Sequence, residues 1–313
     1  MKKIESVLIA GAGAIGLTVA ETIHSFDPRC ISILAGGERL ERYRRDGLWI
    51  NGKKIDFTLA DAGVKEAAAA DLIIIASKYH HLQRIISDIK PYVGGDTIIV
   101  SLLNGISSEE IIGRAYGRQR LPLAMIIGTD AQHKGNQTSF SLRGLIHFGD
   151  AEGKDTPRDR SIAEFFGRAG LAFEYHPQDM KRTLWFKFMV NVGVNQVSAV
   201  LRLSYGAFKR LSPPGIPEAR ELLESAMAEV IAIAAAEGIS LGQADIAGWY
   251  ETVEALGDKG YTSMCQDVLA GRKTEVEMFA RVVMEYGKKH GVPTPVNEIL
   301  YRELRAIEQA YAS

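Results

Sequence analysis

The stretch VLIAGAGAIGLTVAE, residues 7–21, decides the fold class. An apolar run of strand length leads into Gly11, Gly13 and Gly16 at G-x-G-x-x-G spacing, and a helical pattern follows from about Ala14 to Ser25. Such a spacing alone says little. Here it sits between a strand and a helix, and a second apolar run, CISILA at 30–35, comes next, which is the context that a dinucleotide-binding loop demands. The loop Gly11, Ala12, Gly13, Ala14, Ile15 and Gly16 is therefore the expected cofactor contact. Gly11 permits the tight turn, Gly13 lets the backbone approach a pyrophosphate, and Gly16 lets the helix pack on the strand. Unpaired N–H groups at the helix start favour the anion.

Outward from this loop, the first half of the chain keeps alternating. The charged stretch ERLERYRRDG reads as a helix, and DLIIIAS and DTIIVSLLN are near-continuous apolar runs of strand length. Runs apolar on both faces suit buried parallel strands, so the alternation predicts βαβ units. LRGLIHFGD reads as a later strand ending in a turn, and the alanine-rich EAAAAD, 66–71, as a short exposed helix. Beyond this the pattern turns helical, with spans expected near 181–201, 217–237, 242–256 and 272–290 and a last one from 295. LSPPGIP, 211–217, reads as a connection between two of these helices. The expected architecture is α/β, with a Rossmann-type doubly wound parallel sheet over 1–180 as the dinucleotide-binding domain. An all-helical substrate and catalytic domain over 181–313 follows.

Bulk composition removes several classes of function. Of 313 residues, 24% are charged and 46% hydrophobic, and the formal net charge of -1 gives no pull towards a polyanion, so no nucleic-acid partner is expected. Cys30 and Cys265 have no CxxC spacing, which argues against disulfides or a thiolate metal site and fits a reducing cytoplasm. The N-terminal lysines and apolar run superficially resemble a secretory leader. Glycines interrupt that run and Glu21 follows it, so it reads as a strand and loop. No stretch reaches the roughly 18–20 apolar residues of a membrane span. No metal is called for; His80 and His81 read as surface or supporting residues beside Lys78.

The end of the second strand bears on the cofactor. An NAD site usually places an acid there, and this chain has Ala35, Gly36 and Gly37. Arg39 lies just beyond and is the best placed of several arginines to meet a 2′-phosphate, whereas Arg42, Arg44 and Arg45 read as a solvated helix face. NADP is therefore expected as NADPH, with NAD less favoured but kept open by Glu38. Lys78 and Asn104 each follow a buried strand, and strand C-termini form the ligand crevice of a doubly wound sheet.

The run LWFKFMVNVGVNQVSA in the helical half poses a different question. Lys187, Asn191 and Asn195 recur every four residues and share one helical face, and Ser198 returns near the same azimuth. A polar stripe on an apolar helix needs either internal partners or a wet, occupied cavity, because an unpaired buried polar group costs roughly 1–3 kcal/mol.

These motifs together resemble one family over essentially the whole chain. The glycine loop, SKYHHLQ, LLNGISSEE, LWFKFMVNVGVNQVSA and SMCQDVLAGRKTEVE are similar, in order and spacing, to those of ketopantoate reductases. The resemblance implies a Rossmann domain joined to a helical domain, substrate in the cleft between them, and reduction of 2-dehydropantoate to pantoate with NADPH, a step towards pantothenate and coenzyme A. It implies Lys187 as the catalytic proton donor and Asn191, Asn195 and Ser263 as substrate contacts. Glu275 would be the catalytic glutamate that organises substrate and cofactor, on a helix face shared with Phe279, Val282 and Tyr286. Lys78, Asn104 and Ala131 become cofactor contacts, with Asn104 also reaching substrate. The expected partner is a small 2-oxo acid, with no membrane; a homodimer is left open.

The chain departs from the family pattern at particular positions. Gln196 stands where proline is usual, Tyr205 aligns with an asparagine that contacts substrate in some members, Gly36 replaces a second-strand arginine, and Asp130 puts an acid in an unusual loop. Alternatives are thus a reductase of another 2-oxo acid and a dinucleotide-binding sensor without turnover, the second disfavoured by Lys187 and Glu275 being kept together.

Overall fold

Side chains that are apolar on both faces need cover on both faces, and in the computed structural model, which describes residues 3–211 and 215–311, the apolar runs form the interior of a parallel sheet. Two compact units are present. The first takes the chain up to Asn104 and Ser108–Lys181; the second takes Gly105–Ser107 and the chain from Arg182.

In the first unit, β1 (Val7–Ala10) leads through helix α1 (Ala14–Phe26) to β2 (Ile31–Ala35), and α2 (Glu38–Asp46) follows. A small four-stranded sheet joins β3 (Leu48–Ile50) and β4 (Lys53–Ile55) to β9 (Gln132–Lys134) and β10 (Gln137–Ser139). The principal sheet adds β5 (Thr58–Asp61), β6 (Leu72–Ile75) and β7 (Ile98–Ser101), in the order β5-β2-β1-β6-β7, all parallel. The chain winds outward from β1 on one side and returns to its other side at β6. The switch point between β1 and β6 therefore opens at the carboxyl ends of both strands. Helices α3 (Leu82–Asp88) and α4 (Ser108–Tyr116) belong to the second half of this winding. A third sheet, β12-β11-β8, holds β8 (Leu123–Thr129), β11 (Arg143–Gly149) and β12 (Phe173–Tyr175), and α5 (Pro157–Ala169) packs Phe165 and Phe166 into the shared core.

The second unit is helical: α6 (Met180–Val190, whose first two residues still belong to the first unit), a π-turn at Asn191–Asn195, α7 (Gln196–Leu201), α8 (Pro217–Ala236), α9 (Gln243–Glu254), α10 (Ser263–Leu269), α11 (Ala280–His290) and α12 (Pro295–Ala310). Prolines at the first helical position start α8 and α12, where a missing N–H costs nothing. No helix among the described residues is long and apolar enough to cross a membrane.

Two sequence expectations need correction, and one helix is added. Residues 66–70 are not a helix. So short a segment does not repay the nucleation of a helical turn, and its C-terminal end is held elsewhere: Ala70 donates to the Tyr92 carbonyl at 2.9 Å, and the Asp71 carboxylate accepts from the Glu5 and Ser6 N–H groups. The helix expected over 272–290 begins only at Ala280, because Thr274 is tied to Glu308 and the chain from Glu275 to Phe279 forms a turn. Helix α10, capped by Thr262 accepting from the Cys265 N–H, was not anticipated. Within 211–217, residues 212–214 lie outside the described residues, and so does the reading of that connection.

Candidate active site

The glycine loop has the geometry that a dinucleotide requires. Gly11 holds φ +123, and a Cβ there would sit 2.5 Å from the Ala76 carbonyl oxygen at the end of β6. A Cβ on Gly16 would come within 1.9 Å of the Gly11 oxygen. At Gly13, by contrast, a Cβ would meet nothing within 4 Å. Two glycines are thus demanded by the protein's own packing, and the middle one faces open space at the start of α1, where no side chain caps the helix. That opening beside uncapped N–H groups fits a pyrophosphate. The residues present therefore suit a dinucleotide.

Around the loop, Ala35 and Gly36 are buried at the end of β2, and no acid stands there. Arg39, in the first turn of α2, is part-buried and makes no ion pair among the described residues. The other arginines are engaged: Arg44 with Glu41 at 2.7 Å, Arg45 with Asp46 at 2.7 Å, and Arg42 with Asn136 at 3.0 Å. Lys78 and Asn104 are part-buried just beyond β6 and β7, on the same edge of the sheet as the glycine loop. Ala131 follows β8, and its N–H donates to Thr129 Oγ1 at 3.3 Å. Asp130 is occupied in holding its own loop, accepting from the Ser141 and Leu142 N–H groups at 2.8 and 2.7 Å. One acid escaped the sequence reading. Glu109 is buried, accepts from the Ser108 hydroxyl at 2.8 Å and from the Ala124 N–H at 3.3 Å, and has its pKa raised by burial. It joins α4 to β8. The paired acids in SSEE were its only trace.

In the second unit, the stripe is built by the π-turn. Four residues of α-helix overshoot a full turn by roughly 40°, so Asn195 would stand roughly 80° away from Lys187 on an ideal α-helix. The wider π-turn, at about 4.4 residues per turn, falls short by a similar angle over its four steps and returns Asn195 towards the Lys187 azimuth. Gly193 makes the turn fit, since a Cβ there would lie 2.9 Å from the Leu223 carbonyl oxygen of α8. Asn195 Nδ2 donates to Asn191 Oδ1 over a long 3.4 Å, and both amides are part-buried.

Lys187 is only partly buried by exposed surface, yet the atoms crowded round its ammonium desolvate it and pull its pKa down to about 8, against an opposing pull from the nearby Glu275 carboxylate. Glu275 is buried, as expected, although in the turn preceding α11 and not on its face with Val282 and Tyr286. Ser263 is exposed at the first position of α10, a helix that packs against the π-turn. Ser198 does not continue the stripe. It is buried, donating to the Leu203 carbonyl at 2.7 Å and accepting from Thr262, so it ends α7. Gln266 and Asp267 are structural: Gln266 donates to the Tyr261 carbonyl, and Asp267 pairs with Arg272 at 2.9 Å.

The departures from the family pattern turn inward. Gln196 is fully buried; its Nε2 donates to the Val192 carbonyl at 2.8 Å and to Asn297 Oδ1 at 3.0 Å, and its Oε1 accepts from the Ala280 N–H at 3.1 Å. Tyr205 is part-buried in a 3-10 turn, with its backbone N–H on the Gly260 carbonyl and its phenol pKa raised by burial.

Comparison with known proteins covers nearly the whole chain. The profile described as "Ketopantoate reductase PanE/ApbA" matches residues 7–153, and "Ketopantoate reductase PanE/ApbA C terminal" matches residues 179–308. A 2-dehydropantoate 2-reductase of Vibrio cholerae is 25% identical over 98% of this chain and 99% of its own, and one of Pyrococcus horikoshii is 28% identical over 96% and 97%. Among solved structures, a D-mandelate dehydrogenase with NADH and anilino(oxo)acetate superposes at TM-score 0.86, with 24% identity over 98% of this chain and 99% of that one. A PanE/ApbA-family ketopantoate reductase from Ralstonia eutropha superposes at TM-score 0.81, with 22% identity over 98% and 100%.

Proposed function

The chain belongs to the ketopantoate reductase family, and from that premise we propose that it reduces 2-dehydropantoate to pantoate with NADPH, Lys187 donating the proton. The observation that carries this reading is the Lys187 pKa of about 8 beside a buried carboxylate, on a helix whose π-turn lines up two amides behind it. A general acid works best with a pKa near the operating pH, and an ordinary lysine lies well above it.

When bound, the reduced nicotinamide supplies the hydride that the ketone carbon accepts. The residues of the chain do the rest. As charge develops on the ketone oxygen, the Lys187 ammonium stabilises it and hands over a proton, leaving the alcohol and a neutral amine that solvent reprotonates. Glu275 keeps Lys187 charged before that transfer. The Asn191 and Asn195 amides, whose mutual contact is long, are suited to donate to carboxylate or hydroxyl oxygens of the substrate, with Ser263 as a further contact. Gly11–Gly16, Lys78, Asn104 and Ala131 serve the cofactor, and Arg39 its 2′-phosphate. The protein is read as a cytoplasmic enzyme of pantothenate and coenzyme A synthesis.

A second reading keeps the chemistry and changes the acid. Tyr205 stands in a 3-10 turn where some members of the family place an asparagine that contacts substrate, so that amide contact is missing here. The neighbouring D-mandelate dehydrogenase, solved with NADH and anilino(oxo)acetate, makes an aromatic 2-oxo acid with NADH the alternative pair. Oxidation of NADPH and NADH over a panel of aliphatic and aromatic 2-oxo acids decides between them. Lys187→Ala is expected to lower turnover by at least about a hundredfold. Silence across the whole panel would favour a dinucleotide-binding sensor.

A further inference from the structure

A second cluster of side chains lies in the first unit and has no part in the reaction above. Strands β11 and β12 run parallel with His147 opposite Glu174, and the His176 N–H continues the ladder by donating to the Phe148 carbonyl at 2.8 Å. Side chains alternate along strands, so His147, Glu174 and His176 emerge on one face while Ile146, Phe148 and Phe173 pack into the core on the other. His147 Nδ1 lies 2.8 Å from His176 Nε2, and Glu174 Oε2 lies 3.4 Å and 3.6 Å from these two nitrogens. Among the described residues, no other group of three His, Cys, Asp or Glu donors converges within 4.8 Å.

We propose that His147, Glu174 and His176 form a binding site for a divalent transition-metal ion of the zinc type. Two imidazoles and one carboxylate suit zinc, cobalt or nickel, whereas magnesium and calcium prefer oxygen alone. Bonds of about 2.0–2.1 Å at a tetrahedral ion place two ligand nitrogens about 3.3 Å apart, so the rings need to separate by only about half an ångström. Glu174 and His176 have that freedom, with side chains 56% and 20% exposed, while His147 is fixed in the sheet. Behind His176, Asp179 Oδ1 lies 3.3 Å from Nδ1, the carboxylate-to-imidazole contact that turns the other ring nitrogen towards a metal. The head-to-head imidazole pair shares a proton where the ion would sit, and metal binding displaces it. A fourth position is left for water. Bound there, the ion staples edge strand β12 to β11.

Calorimetric titration of the full chain with zinc chloride at pH 7.5 tests this, with visible absorption of the cobalt form reporting coordination. One ion per chain is expected, with affinity at least tenfold weaker in both His176→Ala and Glu174→Gln, and with a zinc-induced rise in Tm that both variants lose. These two partly exposed residues carry the test because His147 lies within the sheet. Absence of stoichiometric binding, or unchanged affinity in either variant, would overturn the proposal.

Discussion

Gln196 and Asn297, 101 positions apart, meet in the core of the helical unit with Gln196 Nε2 donating to Asn297 Oδ1 at 3.0 Å. Asn297 is held in turn by Glu229, to which its Nδ2 donates at 2.7 Å, and the same Gln196 nitrogen reaches the Val192 carbonyl inside the π-turn. A π-turn departs from the regular i−4 ladder, and Gln196 adds a side-chain donor to a carbonyl within it. The amide thus supports the turn that aligns Asn195 with Lys187, without facing substrate.

Gln196→Ala is expected to strand Asn297 Oδ1 and the Ala280 N–H and to remove the side-chain donor from the Val192 carbonyl. Each stranded buried group costs about 1–3 kcal/mol, so the unfolding midpoint of this variant should fall clearly in urea. An unchanged midpoint would show that the network contributes nothing.

Asn195→Ala should behave in the opposite way. Its one hydrogen bond to another described side chain is the long contact with Asn191, so little is stranded, and stability should hold while KM rises or turnover falls. Steady-state kinetics and a melting curve on this one variant separate the two roles. Lost stability with intact kinetics would make the amide a packing residue.

The Lys187 pKa of about 8 predicts a pH profile. The protonated ammonium is the active form, so kcat/KM for reduction should be level below pH 8 and fall about tenfold per unit above it. Glu275 raises this pKa, so Glu275→Gln should move the decline to lower pH. A decline that stays in place, or moves upward, contradicts the coupling.

Arg39→Ala should weaken NADPH binding about tenfold or more and leave NADH nearly unaffected, since a charge-assisted hydrogen bond contributes about 1.5–3 kcal/mol. Fluorescence titration with both cofactors measures the difference. Equal losses for the two would remove Arg39 from the 2′-phosphate.

Gly13→Ala should fold with native stability, because its Cβ meets nothing, yet bind dinucleotide poorly. Gly16→Ala should fail earlier, since its Cβ falls 1.9 Å from the Gly11 oxygen. Thermal melting with and without NADPH distinguishes a blocked cradle from a broken loop.

The amino-acid sequence by itself determined the elements that local periodicity encodes. Glycine spacing after an apolar run specified β1, the loop and α1, because the positive φ of Gly11 and the approach of Gly16 to the Gly11 oxygen are demands set within the loop, whereas the contact of Gly11 with Ala76 depends on β6 lying alongside. Apolar runs specified β2, β6 and β7, and the four-residue recurrence of Lys187, Asn191 and Asn195 marked the candidate site. Tertiary structure decided the rest. The spacing could not disclose that a π-turn corrects the drift of that stripe, since the turn depends on Gly193 meeting α8 and on Gln196 reaching Asn297. Nor could it show that Glu275 is buried in a turn held to α12 through Thr274 and Glu308, or that His147 and His176 meet across two strands. A sequence records which residues follow one another on an element; which distant groups share a desolvated space depends on how the elements pack.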